Sequence, residues 1–177
     1  VYSQTKQIKV GSAIRNILCN GGPVAHAEAV KTFLSLHNLH HGTDRPLELG
    51  FASGRFPFSV RPYGIKARNE FEKEFWPVIN GRVFLQATEI FLRLLKGENL
   101  SIEDVRPMVL QPQHFREQSQ WDKAFSRYDS FYSLSKTQEA LALPSFWDFE
   151  KLGVIPFDAP LEALHLTIGA HWEEAYR

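Results

Sequence analysis

Apolar residues recur at Val83, Ala87, Ile90, Phe91, Leu94 and Leu95, and this spacing of three and four predicts an amphipathic helix from Arg82 to Lys96. Thr88, Glu89 and Arg93 fall on the opposite, water-facing side. Lys96 suits the negative end of the helix dipole, and Gly97 can take the left-handed conformation that ends a helix. Phe71, Phe75, Trp76 and Ile79 offer a partner helix, with Asn80-Gly81 as the turn of a helical hairpin. A similar pattern precedes it. Ser12 reads as an N-cap before Ala13, Ile14, Ile17 and Leu18, Asn20-Gly21-Gly22-Pro23 reads as a turn, and a second helix carries Ala25, Ala29, Phe33, Leu34 and Leu36 to about His41.

Residues 1–11 read as an extended arm. Ser101 to Asp104 resembles a capping box ahead of a short helix limited by Pro107 and Pro112. Phe115, Trp121, Phe125, Tyr128, Phe131 and Leu134 mark an amphipathic helix within 113–134, and a last helix is expected from about Leu161 to Tyr176. The expected fold is therefore all-α: one domain over 1–177 made of two or three helical hairpins, with a non-helical insertion at about 47–68. Strand evidence is confined to an imperfect alternation from Gly50 to Val60.

Composition narrows the function classes. The 20 basic and 20 acidic residues cancel, which disfavours nucleic-acid binding by a generally basic surface. The aromatic fraction of 13% points to large packing contacts or partner surfaces. With Cys19 as the single cysteine, no disulfide can form within the chain. No run approaches the ~18 apolar residues of a membrane-spanning helix, so a water-exposed protein without a span is expected. A chain that begins Val1-Tyr2 is compatible with a removed targeting segment, a proteolytic fragment or a truncation.

The two hairpins share Ala, Phe, Leu and Leu at the same relative positions, Ala29, Phe33, Leu34 and Leu36 in one and Ala87, Phe91, Leu92 and Leu94 in the other. Helix, Asn-Gly turn, helix and Pro-containing link resemble a pentatricopeptide-type repeat over roughly 12–46 and 69–104, with tetratricopeptide-like hairpins as the neighbouring pattern. That resemblance implies an organellar protein that binds single-stranded RNA or grips other proteins. On size and architecture the chain is similar to the small extra subunit on the catalytic head of euglenozoan mitochondrial ATP synthases. The expectation is thus a non-catalytic accessory subunit on the matrix side of the mitochondrion, docked on protein subunits of a larger assembly and needing no cofactor. An organellar RNA-binding protein or a mitochondrial ribosomal protein is the alternative.

Two stretches carry local chemistry. From Leu49 to Asn69 there is no acidic residue, and Arg55, Phe56, Phe58, Arg61 and Tyr63 interleave guanidinium groups with aromatic rings, the residue types that anchor protein interfaces or stack on bases. These five are the candidate protein-binding residues. The region 137–177 is acidic and could attract them. His37 and His41, one helical turn apart, have the spacing of a zinc-binding pair and define a second alternative, a zinc-dependent hydrolase. Asn38 occupies the place of that motif's catalytic glutamate. A third ligand would have to come from His26, Glu28, His114, His165 or His171, whereas histidines near a helix C-terminus are also favoured by the dipole alone. Cys19, between Leu18 and Asn20, reads as a buried structural thiol. No phosphate-cradling or nucleophile-elbow motif occurs.

Overall fold

A computed structural model describes residues 4–5, 7–8, 10–41, 47–52, 66–101 and 104–145, with the side chains of 10, 12–15 and 37–41 outside that description. Its elements are β1 (Val10–Asn16), α1 (Gly22–His41), β2 (Leu47–Ala52), α2 (Glu70–Glu74), α3 (Trp76–Leu95), β3 (Met108–Leu110), α4 (Gln118–Arg127) and β4 (Leu141–Leu143). The fold is mixed α/β, and the all-α expectation is wrong. The segment from Ser12 lies in a strand, and β1 pairs in parallel with β2, from Val10 opposite Leu47 to Asn16 opposite Ala52. Parallel strands need a long crossover, and α1 supplies it, so the first hairpin is in fact a strand–helix–strand unit. A second, antiparallel pair joins β3 to β4.

Asn20, Gly21 and Gly22 all take positive φ, 55°, 89° and 66°, which makes the expected turn real but places it between a strand and a helix. A Cβ on Gly21 would stand 2.6 Å from that of Ala25, so the turn tolerates no larger residue there. His26, buried on the first turns of α1, holds the approach with Nε2 placed 3.0 Å from the Cys19 carbonyl and 3.2 Å from that of Asn16. The buried face of α1 differs from the one expected: His26, Ala27, Val30 and Lys31 are inside, while Phe33 and Leu36 are exposed.

The long helix α3 matches its stripe. Val83, Ala87, Ile90, Phe91, Leu94 and Leu95 are all buried, Lys96 caps the end, and Gly97 turns out at φ 85°. The break with the preceding helix, however, falls at Phe75 and not at Asn80-Gly81, which lies within α3. Pro77 sits in the first turn, where its missing N–H costs nothing, and Ile79 continues the buried stripe without a slip. Burial of that continuous face outweighs the turn preference of Asn-Gly. Neither expected hairpin is present.

One core runs through the molecule. Phe51 of β2 meets Phe91 of α3 edge to face at 4.8 Å between ring centres. Phe71 of α2 touches Phe75, Tyr128, Phe131 and Tyr132 at 4.9–6.1 Å. Phe115 and Trp121 extend this aromatic cluster toward α4. The expected helix over 113–134 is shorter, with single 3-10 turns at Pro112–His114 and Tyr128–Ser130 on either side of α4.

A charged hub lies beside Phe71. Glu72 is fully buried, and its carboxylate accepts from the Arg68 backbone N–H at 2.7 Å, the Arg68 guanidinium at 2.6 Å and the Tyr132 hydroxyl at 2.5 Å. Asn69 caps α2 by accepting from the Glu72 N–H at 2.8 Å and donates its amide to Tyr132. A buried carboxylate is tolerated only when its lone pairs are filled in this way. Burial, followed by the Glu72 hydrogen bond, pushes the Tyr132 phenol well above its usual range.

Two measurements check this arrangement. Gly81→Ala should raise unfolding free energy by about 0.5–1 kcal/mol, because the position is helical and a Cβ there meets nothing within 4 Å; a turn at Gly81 would make the same change destabilising. Tyr132→Phe keeps the ring contacts and deletes two hydrogen bonds, the charge-assisted one to Glu72 and the one from the Asn69 amide, so urea unfolding should show a loss of about 1–3 kcal/mol.

Candidate functional site

The five expected binding residues, Arg55, Phe56, Phe58, Arg61 and Tyr63, lie outside the described residues, as does the acidic region beyond residue 145. The helix backbone runs through His37 and His41, but their side chains are also outside the description. Of the other suggested ligands, His26 is committed to two backbone carbonyls. Among the described residues no group of three or more His, Cys, Asp or Glu could hold a metal ion. Cys19 is buried, and burial pushes its thiol upward, away from nucleophilic character. The strand–glycine–helix junction at Gly21 is the topology of phosphate-binding turns, yet here the Gly22 N–H donates to the Cys19 carbonyl and Pro23 has no N–H to offer.

What the fold does assemble is a cleft of about 810 Å³ between α3 and the segment that crosses it after Asp104. One wall is the outer strip of α3: Arg82, Leu85, Gln86, Glu89 and Arg93, with Ile90 at the base. The other is Asp104, Arg106, Pro107, Val109, Gln111 and His114, with Val105 and Met108 beneath. The crossing segment is held by a Gln86 side-chain amide that donates to the Arg106 carbonyl at 2.7 Å and by β3 pairing with β4 behind it. Tyr128 backs this sheet, its hydroxyl donating to the Ala142 carbonyl; burial, with a lesser push from Asp129, raises that phenol to about 12.

Two features distinguish the cleft. Leu85 and Val109 line it and are 48% and 40% exposed, although both are large apolar side chains. Three arginines line it against two carboxylates, and the carboxylates are unequal. Asp104 accepts from the Ser101 N–H at 2.7 Å and hydroxyl at 3.0 Å, contacts that hold its carboxyl below the usual range; the Asp104 N–H goes to the Ser101 carbonyl and not to its hydroxyl, so only half of the expected capping box forms. Arg93 is tied to Glu98 at 2.7 Å.

His114 has a defined tautomer. The Gln111 backbone N–H donates to Nδ1 at 3.0 Å, so in the neutral ring Nε2 carries the proton. Burial and then the nearby Arg82 charge lower its proton affinity, which keeps the ring neutral. With Nδ1 held by the Gln111 N–H, Nε2 is the ring nitrogen that lies toward Arg82.

Compared with known protein families, with curated proteins and with solved structures, the chain matches none. Among the described residues no helix is long and apolar enough to cross a membrane.

A nuclear magnetic resonance titration tests the electrostatics. His114 should titrate below the ordinary histidine range, and Arg82→Gln should move its midpoint upward by removing the repulsion. Since the folded protein resists this protonation, the site's contribution to stability is present above that range and declines as pH falls through it. An unchanged midpoint in Arg82→Gln would show that the guanidinium does not face the ring.

Proposed function

We propose that this protein is a non-catalytic subunit that docks on a protein partner within a larger assembly, and that the cleft between α3 and β3 is the contact face. The observation that carries this reading is the exposure of Leu85 and Val109 inside a groove bordered by arginines. Interfaces combine an apolar centre and enriched arginine with a polar rim, and walls fixed before binding reduce its ordering cost. Both walls here belong to the packed core, through Ile90 on one side and Met108 and Leu110 on the other. The cleft's ionisable groups, engaged as described above, fit recognition better than acid–base chemistry.

The mitochondrial ATP synthase head and the mitochondrial ribosome were suggested by helical hairpins, and they lose that support with the hairpins. Each remains an assembly in which a docking subunit could sit.

Native purification of the full chain, with mass spectrometry of what co-migrates, tests the proposal. The expected result is a defined complex that is lost in the Leu85→Glu, Val109→Glu double variant while its circular dichroism spectrum stays unchanged. A protein that runs alone near 20.3 kDa contradicts the reading. Co-migration abolished by ribonuclease would favour the RNA-binding alternative.

A further inference from the structure

Arg82 and His114 meet inside the cleft with Nη1 and Nε2 3.1 Å apart. Because the Gln111 N–H occupies Nδ1, Nε2 is protonated, and a guanidinium nitrogen is always a donor. Two donors thus face each other where a hydrogen bond would need one acceptor. Among the described residues the Arg82 guanidinium makes no ion pair. Other acceptors lining the cleft each hold a donor from elsewhere. The Gln111 side-chain oxygen accepts from Gln113 at 2.8 Å, Asp104 accepts from Ser101, and the Arg106 carbonyl accepts from Gln86. Glu89 lies two turns along α3, roughly 10 Å from Arg82 along the helix axis.

We infer that the Arg82–His114 pair receives a carboxylate from the docked partner, an Asp or Glu side chain that takes one bond from the Arg82 fork and one from the His114 Nε2–H. The inference rests on the docking reading and specifies its chemistry. A carboxylate has two oxygens on one carbon, which matches two converging N–H donors. Leu85, one helical turn from Arg82, and Val109 on the facing wall then receive an apolar residue of the same segment. The occupant is an acidic peptide segment with an adjoining large aliphatic residue. Its negative charge meets the Arg82 guanidinium, which among the described residues has no ion-pair partner, and its aliphatic side chain covers the two exposed apolar groups.

The test uses the full chain and three probes: a blocked Leu-Glu-Leu peptide, its Leu-Gln-Leu isostere and inorganic phosphate. Binding is followed by the resonances of the Arg82 guanidinium and the His114 ring. The Glu peptide should shift both saturably, and the Gln peptide should bind at least about tenfold more weakly, as expected for loss of a charge-assisted hydrogen bond. Arg82→Gln should erase the Glu preference while leaving the residual binding shared by both peptides, and Arg82→Lys should restore only part of it. Equal binding of the Glu and Gln peptides overturns the carboxylate inference while the docking face stands. Phosphate binding as strong as that of the Glu peptide overturns it in favour of a free-anion site. If neither peptide perturbs the cleft and Leu85→Glu with Val109→Glu leaves the native assembly intact, the docking reading fails as well.

Discussion

The arrangement depends on one constraint: a carboxylate fully removed from water must find its donors inside the protein. Glu72 finds them on Arg68, just before its own helix, and on Tyr132, 60 residues further along the chain. The contact fixes the start of α2 against the segment that follows α4. Phe71, the neighbour of Glu72, packs on Tyr128 and Tyr132 in the same place, so polar and aromatic contacts set one geometry together. Replacing such a buried ion pair by apolar residues often leaves stability unchanged, whereas removing one partner is costly. The value of the hub lies in specifying which surfaces meet.

That specification reaches the cleft through two short paths. Phe75 joins α2 to α3 and is buried against Phe115, which follows the 3-10 turn carrying His114. Tyr128 binds the Ala142 carbonyl of β4, and β4 pairs with β3. The α3 wall and the β3 wall are therefore both referred to the same hub. Both walls of the groove thus rest on the packed core, and walls positioned before binding lower the ordering cost of receiving a partner.

Much of α3 was legible in the sequence, because six apolar residues in a helical period have one burial solution. Asn80-Gly81 misled because turn preference is local, while the stripe from Ile79 through Val83 is satisfied only by a helix that ignores it. β1 was unreadable for a different reason. Ala13, Ile14, Ile17 and Leu18 fit a helical stripe, and only pairing with residues 47–52 makes the segment a strand. Strands of three residues, such as β3 and β4, are too short to show a period at all. The water-facing side of α3, with Glu89 and Arg93, was visible in the pattern. Its role as a cleft wall was not, because nothing in those residues reveals that Asp104 to His114 folds across them. The basic aromatic stretch was the strongest compositional signal, and it lies outside the described residues.

The central claim is that the face between α3 and β3 carries the partner. Site-specific photo-crosslinking in the native assembly tests it most directly, with a photoreactive residue at Leu85 and, as control, at Ser126 on the exposed side of α4. Attachment of one protein partner from position 85 and none from position 126 is the predicted result. No adduct from position 85, or equal adducts from both positions, would contradict it.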